Sequence, residues 1–103
     1  ERENSVMTLR RGFVLTPSER VLIVEDVVTT GKSSQEVIDV VAAHGAEPIA
    51  VVSIVDRTAS TVAFSVPRLS LLKLNIPSYP SDNCPLCNEH IPIVKPGSRA
   101  LKK

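Results

Sequence analysis

Val21-Leu22-Ile23-Val24-Glu25-Asp26-Val27-Val28-Thr29-Thr30-Gly31-Lys32-Ser33 is the stretch that decides how this chain folds. Its first four residues form a continuous apolar run rich in β-branched side chains, which predicts a strand covered on both faces in a parallel sheet. Ser33-Ser34-Gln35-Glu36 follows the capping-box pattern, in which Ser33 and Glu36 satisfy backbone donors at a helix start. Val37, Val40, Val41 and His44 then recur at helical spacing on one face, and Gly45 supplies the left-handed residue that commonly ends a helix. A second apolar run, Ile49 to Val55, follows after a short connection. Strand, helix and strand in this order make a βαβ unit, whose right-handed crossover leaves the two strands parallel and opens their carboxyl ends on one edge. The fold class expected is α/β, with this unit inside a partial Rossmann-like parallel-sheet core.

Outward from that unit the chain divides in three. Residues 1–20 are polar and carry Arg10-Arg11-Gly12 and Thr16-Pro17-Ser18, a composition that suits a mobile loop followed by a turn. Residues 21–74 form the core, with Val62–Val66 and Leu69–Leu74 as candidate shorter strands. Residues 75–103 are a tail expected to be extended and irregular, since five of the eight prolines lie between Pro77 and Pro96. The 103 residues suffice for one domain or part of one. Because the chain starts at Glu1 inside a charged stretch, it reads as the C-terminal part of something longer.

Composition narrows the function classes. Apolar residues at 43% and charged residues at 22% are the balance of a globular chain. Three aromatics give no platform for stacking nucleobases, and a formal charge of +1 supplies no basic field for nucleic acid or membrane. No run approaches the length of a membrane span and no signal-peptide layout opens the chain, so the reading is cytoplasmic. Any anion must be held locally.

The local holder is the turn before the helix. Thr29, Thr30, Gly31, Lys32 and Ser33 lie where unpaired backbone N–H groups and the positive end of the helix dipole favour an anion. Gly31 permits positive φ and close backbone approach, and the hydroxyls of Thr29, Thr30 and Ser33 can donate to phosphate oxygens. Upstream, the carboxylates of Glu25 and Asp26 are acceptors suited to two ribose hydroxyls. Gly31-Lys32-Ser33 invites a nucleoside-triphosphate reading, but G-x-x-x-x-G-K-S/T would need its first glycine where Asp26 stands. The bland alternative is a solvated strand end and a hydroxyl-rich helix cap. The acids, the double threonine, the glycine and the cap together favour a cradle for a phosphorylated ribose.

In these residues the segment resembles the phosphoribosyl-diphosphate signature of type I phosphoribosyltransferases. Leu9-Arg10-Arg11-Gly12-Phe13, Ile54-Val55-Asp56-Arg57, and Cys84-Pro85-Leu86-Cys87 through Lys95-Pro96-Gly97-Ser98-Arg99 are similar to bacterial or archaeal orotate phosphoribosyltransferases. The resemblance implies magnesium-dependent transfer of a phosphoribosyl group from phosphoribosyl diphosphate to orotate, giving orotidine monophosphate and diphosphate, in a homodimer. It implies that Glu25, Asp26, Val27, Val28, Thr29, Thr30, Gly31, Lys32 and Ser33 bind phosphoribosyl diphosphate, Glu25 and Asp26 at the ribose and Thr29 to Ser33 at the 5-phosphate, and that Thr29 and Arg57 contact orotate. Arg57 also stands at the tip of the second strand, where its fork of donors suits a planar carboxylate or carbonyl, although pairing with Asp56 would serve structure alone. Arg2, Arg10 and Arg11 fall where the family has a mobile catalytic loop over the diphosphate; many relatives carry lysine and histidine there, and arginine is a poor proton donor. The alternative for these three is a charged solvated loop. The family's hood, first core strands and diphosphate loop have no counterpart here, so the chain alone is expected to be impaired.

Cys84 and Cys87 have the spacing of half a zinc site, with His90 three residues on, but no second pair exists. A turn is the favoured reading, no metal ligands are assigned, and His44 reads as a packing or surface residue. Two other functions share the cradle. One is a regulator that senses phosphoribosyl diphosphate, against which the near-neutral charge argues. The other is a phosphoribosyltransferase acting on a different base.

Overall fold

The structure, a computed structural model, describes residues 1–58, 62–92 and 94. Two short strands, β1 (Arg2–Glu3) and β2 (Val6–Met7), pair as an antiparallel hairpin. β3 (Arg20–Val28), α1 (Lys32–Ala43) and β4 (Glu47–Asp56) form the βαβ unit, and β5 (Arg68–Lys73) adds to it. The three strands lie in the order β3-β4-β5 and all pair in parallel. The α/β class with a partial parallel core is thus observed.

The structure extends the first strand beyond the apolar run. β3 continues through Glu25 and Asp26 to Val28, because the ladder with β4 persists at Glu25 to Ser53, Val27 to Val55 and Val28 to Asp56. The acids therefore sit within the strand, on alternating sides of it.

Covering of β3 on both faces is not observed among the described residues. α1 packs on one face, where Ile23, Val28, Ile38 and Val51 form the core with Val37, Phe64 and Val66 against it. The opposite face leaves Leu22, Val24, Ile54, Leu69 and Leu71 exposed. Among the described residues only α1 is long enough to cover a sheet face, so the described part of the β-branched run is half-solvated. Burial of each core aliphatic contributes about 1.5–3 kcal/mol, and the core is correspondingly small.

α1 differs in its details from the sequence pattern. Its N-cap is Gly31, in the left-handed region at φ 75°, and no side chain caps the helix. The Ser33–Glu36 capping box does not form, because Ser33 lies inside the first turn and the Glu36 carboxylate pairs with Arg2. The buried stripe is Ser34, Ile38 and Val41, whereas His44 is exposed at the C-cap. Gly45 ends the helix as its spacing predicts: its N–H donates to Ala42 O at 2.9 Å and that of Ala46 to Val41 O at 3.3 Å, a Schellman arrangement.

Leu69–Leu74 does supply a strand, but Val62–Val66 does not; it runs irregularly back toward α1. In the tail, a 3₁₀ turn (Ser81–Asn83) precedes α2 (Pro85–Asn88), and no other regular element occurs among the described residues. The motif from Lys95 to Arg99 lies outside the described residues.

Candidate functional site

A cavity of about 150 Å³ opens where β3 hands over to α1, bounded by Glu25 and by the continuous stretch Val27 to Ser34. It is well below the ~300 Å³ at which pockets for whole drug-sized ligands begin, so it suits a head group whose remainder lies outside. The lining follows from the local fold. Gly31 takes a conformation that L side chains rarely adopt, which turns the chain sharply from strand into helix and lays the backbone of Thr29 to Ser33 around the hollow. The first N–H groups of α1, those of Lys32, Ser33 and Ser34, have no acceptor within the helix and belong to residues that line this cavity, at the positive end of the helix dipole. Thr29, Thr30, Lys32 and Ser33 are all exposed around it. The Lys32 N–H lies 3.4 Å from Thr30 Oγ1.

The two acids are placed differently. Glu25 lines the cavity and accepts from Ser34 Oγ at 3.3 Å; Asp26 is exposed and its Oδ1 accepts from the Val27 N–H at 2.6 Å. Ser34 therefore ties the floor of the loop to the acid beside it. The sequence pattern did not single it out, although its place four residues before Ile38 on the buried stripe carried the signal.

Arg57 follows the end of β4, where its N–H donates to Val28 O at 2.8 Å and so sets the tip of β4 beside the cavity. It makes no ion pair among the described residues, and its Nε is buried without a partner. Pairing with Asp56, the structural alternative, is not what the geometry shows. Asp56 is buried and joined to Arg68, whose Nε lies 3.1 Å from Oδ2. Burial alone raises the Asp56 carboxyl, but hydrogen bonding from Thr58 and the charges of Arg68 and Lys73 outweigh it and hold the group below its ordinary 3.8.

Of the three N-terminal arginines, the structure brings one to the cavity. Arg2 donates toward Ser33 Oγ at 3.4 Å and pairs with Glu36, which lays the β1–β2 hairpin beside α1. Arg10 and Arg11 instead pair with Glu1, at 3.8 and 2.7 Å, around a separate hollow that shares no lining residue with the first.

Cys84 and Cys87 are free thiols at the start of α2. The N–H and thiol of Cys87 hydrogen-bond to Cys84 and hold its thiol below the ordinary 9.0. No group of three or more His, Cys, Asp or Glu side chains able to hold a metal occurs among the described residues. No described helix is long and apolar enough to cross a membrane.

Known proteins resemble this chain over nearly its whole length. The orotate phosphoribosyltransferase of Thermotoga maritima is 56% identical over 102 residues, which is 99% of this chain and 54% of that protein. The orotate phosphoribosyltransferase of Carboxydothermus hydrogenoformans is 54% identical over 99 residues, 96% of this chain and 52% of that protein. The chain thus spans about half the length of the curated relatives it matches. Among solved structures, the adenine phosphoribosyl transferase of Trypanosoma brucei aligns with 85% of this chain and 39% of its own, at a TM-score of 0.49 and 24% identity. The family model of the phosphoribosyl transferase domain matches residues 2–78, the span that holds the whole βαβ unit, the cavity and Arg57. By that match, the chain belongs to the phosphoribosyl transferase domain family.

Proposed function

We propose that this chain carries the ribose-phosphate half of an orotate phosphoribosyltransferase, which moves the phosphoribosyl group of phosphoribosyl diphosphate onto orotate and releases diphosphate. The observation that carries the reading is the hollow enclosed by Val27 to Ser34 at the start of a helix with no side-chain cap, with Glu25 on its wall. The N–H groups there and the hydroxyls of Thr29, Thr30 and Ser33 hold the terminal phosphoryl oxygens, and Lys32 offsets their charge. Glu25 and Asp26 accept from the ribose hydroxyls. Arg57, with its Nε unpartnered, and Thr29 orient the carboxylate and carbonyl groups of orotate for attack on the anomeric carbon. Arg2, beside Ser33, and Arg10 and Arg11 supply cations for the departing diphosphate when the N-terminal segment closes over it.

A divalent metal suits this site in one way. Without a three-ligand cluster among the described residues, Mg²⁺ would be held chiefly by substrate oxygens, with Glu25 and Asp26 close by. When bound, it neutralises charge on the diphosphate. The proposal includes a cytoplasmic homodimer.

Calorimetry of the 103-residue chain with phosphoribosyl diphosphate, and a turnover assay offering orotate, uracil and hypoxanthine, test the reading. Binding of the diphosphate with slow turnover of orotate alone is expected. No binding refutes the cradle, normal turnover refutes the impairment, and preference for another base refutes the acceptor.

A further inference from the structure

Three observations outside the proposed ligand contacts converge on one side chain. First, the wall behind the phosphate loop is the segment after β4: a Cβ placed on Gly31 would lie 2.8 Å from Val62 Cγ1 and 2.9 Å from Phe64 Cε1 and Cζ. The loop therefore leans directly on Val62 and Phe64. Second, Arg68, at the start of β5, grips both of them. Its Nη1 donates to Val62 O at 3.1 Å, and its guanidinium lies 5.7 Å from the centre of the Phe64 ring. Third, the same guanidinium is anchored on buried Asp56, whose other oxygen accepts the Thr58 N–H at 2.7 Å. Asp56 immediately precedes Arg57.

We infer that Arg68 is a positioning residue: through Asp56 it fixes the wall of Val62 and Phe64 against Gly31, and so sets the phosphate loop and the Arg57 tip in one register. Arg68 touches no ligand in this scheme. An arginine is required because three tasks meet in one planar group: an ion pair, a carbonyl contact and a cation–π contact with an aromatic ring. A lysine can satisfy Asp56 but cannot also reach Val62 O and keep its charge beside the Phe64 ring.

The inference rests on the proposed phosphate cradle, and the test separates the two. Ribose 5-phosphate affinity and the amide exchange rate of Gly31 are measured for the 103-residue chain and for Arg68→Gln, Arg68→Lys, Phe64→Leu and Lys73→Gln. Lys73 is the control, since its charge also bears on Asp56 but it bonds to neither Val62 nor Phe64 among the described residues. Arg68→Gln is expected to weaken ribose 5-phosphate and speed Gly31 exchange by about tenfold each, the ratio set by loss of one charge-assisted contact. Arg68→Lys restores the thermal midpoint but not the affinity, and Lys73→Gln leaves affinity and exchange unchanged. Should Arg68→Gln not fold, Phe64→Leu, which keeps the ion pair, reads the same loosening. Full recovery of affinity in Arg68→Lys, or equal losses in Lys73→Gln, overturns the inference. If the unaltered chain binds no ribose 5-phosphate, the cradle fails; Gly31 exchange then decides alone, faster in both Arg68 variants supporting the inference and equal to Lys73→Gln overturning it.

Discussion

Replacing Gly31 with alanine should destabilise the chain by two separable amounts. The left-handed backbone at φ 75° costs an L residue about 1–2 kcal/mol. The new Cβ would also stand 2.8 Å from Val62 Cγ1 and 2.9 Å from two Phe64 ring atoms, and Phe64 is held by Arg68, so relief by rotation is restricted. Overpacking of this kind adds about 1–3 kcal/mol. The sum is about 2–5 kcal/mol, a large share of a total stability of about 5–15 kcal/mol. Gly12 provides the comparison, because it has the same φ of 75° and nothing within 4 Å of its would-be Cβ. Urea unfolding of Gly31→Ala and Gly12→Ala should show the first falling further by about 1–3 kcal/mol at equal m-value. Equal losses in the two variants would show that the Val62–Phe64 wall does not press on the loop, and the packing argument would fail.

Other consequences can be checked on the same chain. Asp56→Asn leaves Arg68 without its counter-charge and should cost about 3 kcal/mol, the low end for breaking a buried pair, given that Arg68 keeps 19% of its side chain exposed. Since the folded carboxyl of Asp56 is held below its ordinary 3.8, its contribution is present above that pH and is lost as pH falls through the lower folded value. Urea midpoints measured below about pH 4 should accordingly drop less steeply in Asp56→Asn than in the parent; matching slopes would contradict this. Glu36→Gln removes the partner of Arg2, not a helix cap, and should cost less than about 1 kcal/mol in unfolding, as exposed ion pairs do. Leu71, 86% exposed on the open sheet face, should accept serine within about 0.5 kcal/mol by thermal unfolding.

What the sequence disclosed was what local chemistry decides. An apolar β-branched run, a glycine-terminated helical period and a second run sufficed for the βαβ unit. The hydroxyls, Gly31 and Glu25 marked the cavity, because a turn at a helix entry is a local event, whereas Asp26 lies outside its lining. The misreadings share a cause, which is that a partner distant in sequence outbid the local one. Glu36 left the capping box for Arg2, 34 residues away. β3 outran its apolar run because β4 supplied partners for Glu25 and Val27. Arg68 itself carries no pattern in the sequence, since its three contacts are made only when β5 is laid beside β4. Val62–Val66 looked like a strand by composition, yet it packs on Gly31 and the core and pairs with no described strand.

The central claim is that a phosphorylated ribose seats in the hollow between Glu25 and Ser34. Titrating ¹⁵N-labelled chain with ribose 5-phosphate while following backbone amide resonances tests it most directly. Saturable shifts concentrated at Thr29 to Ser34, and abolished at high salt or weakened about tenfold by Lys32→Ala, are the predicted result. Unmoved amides in that stretch, or shifts confined to the separate hollow around Arg10 and Arg11, would contradict it.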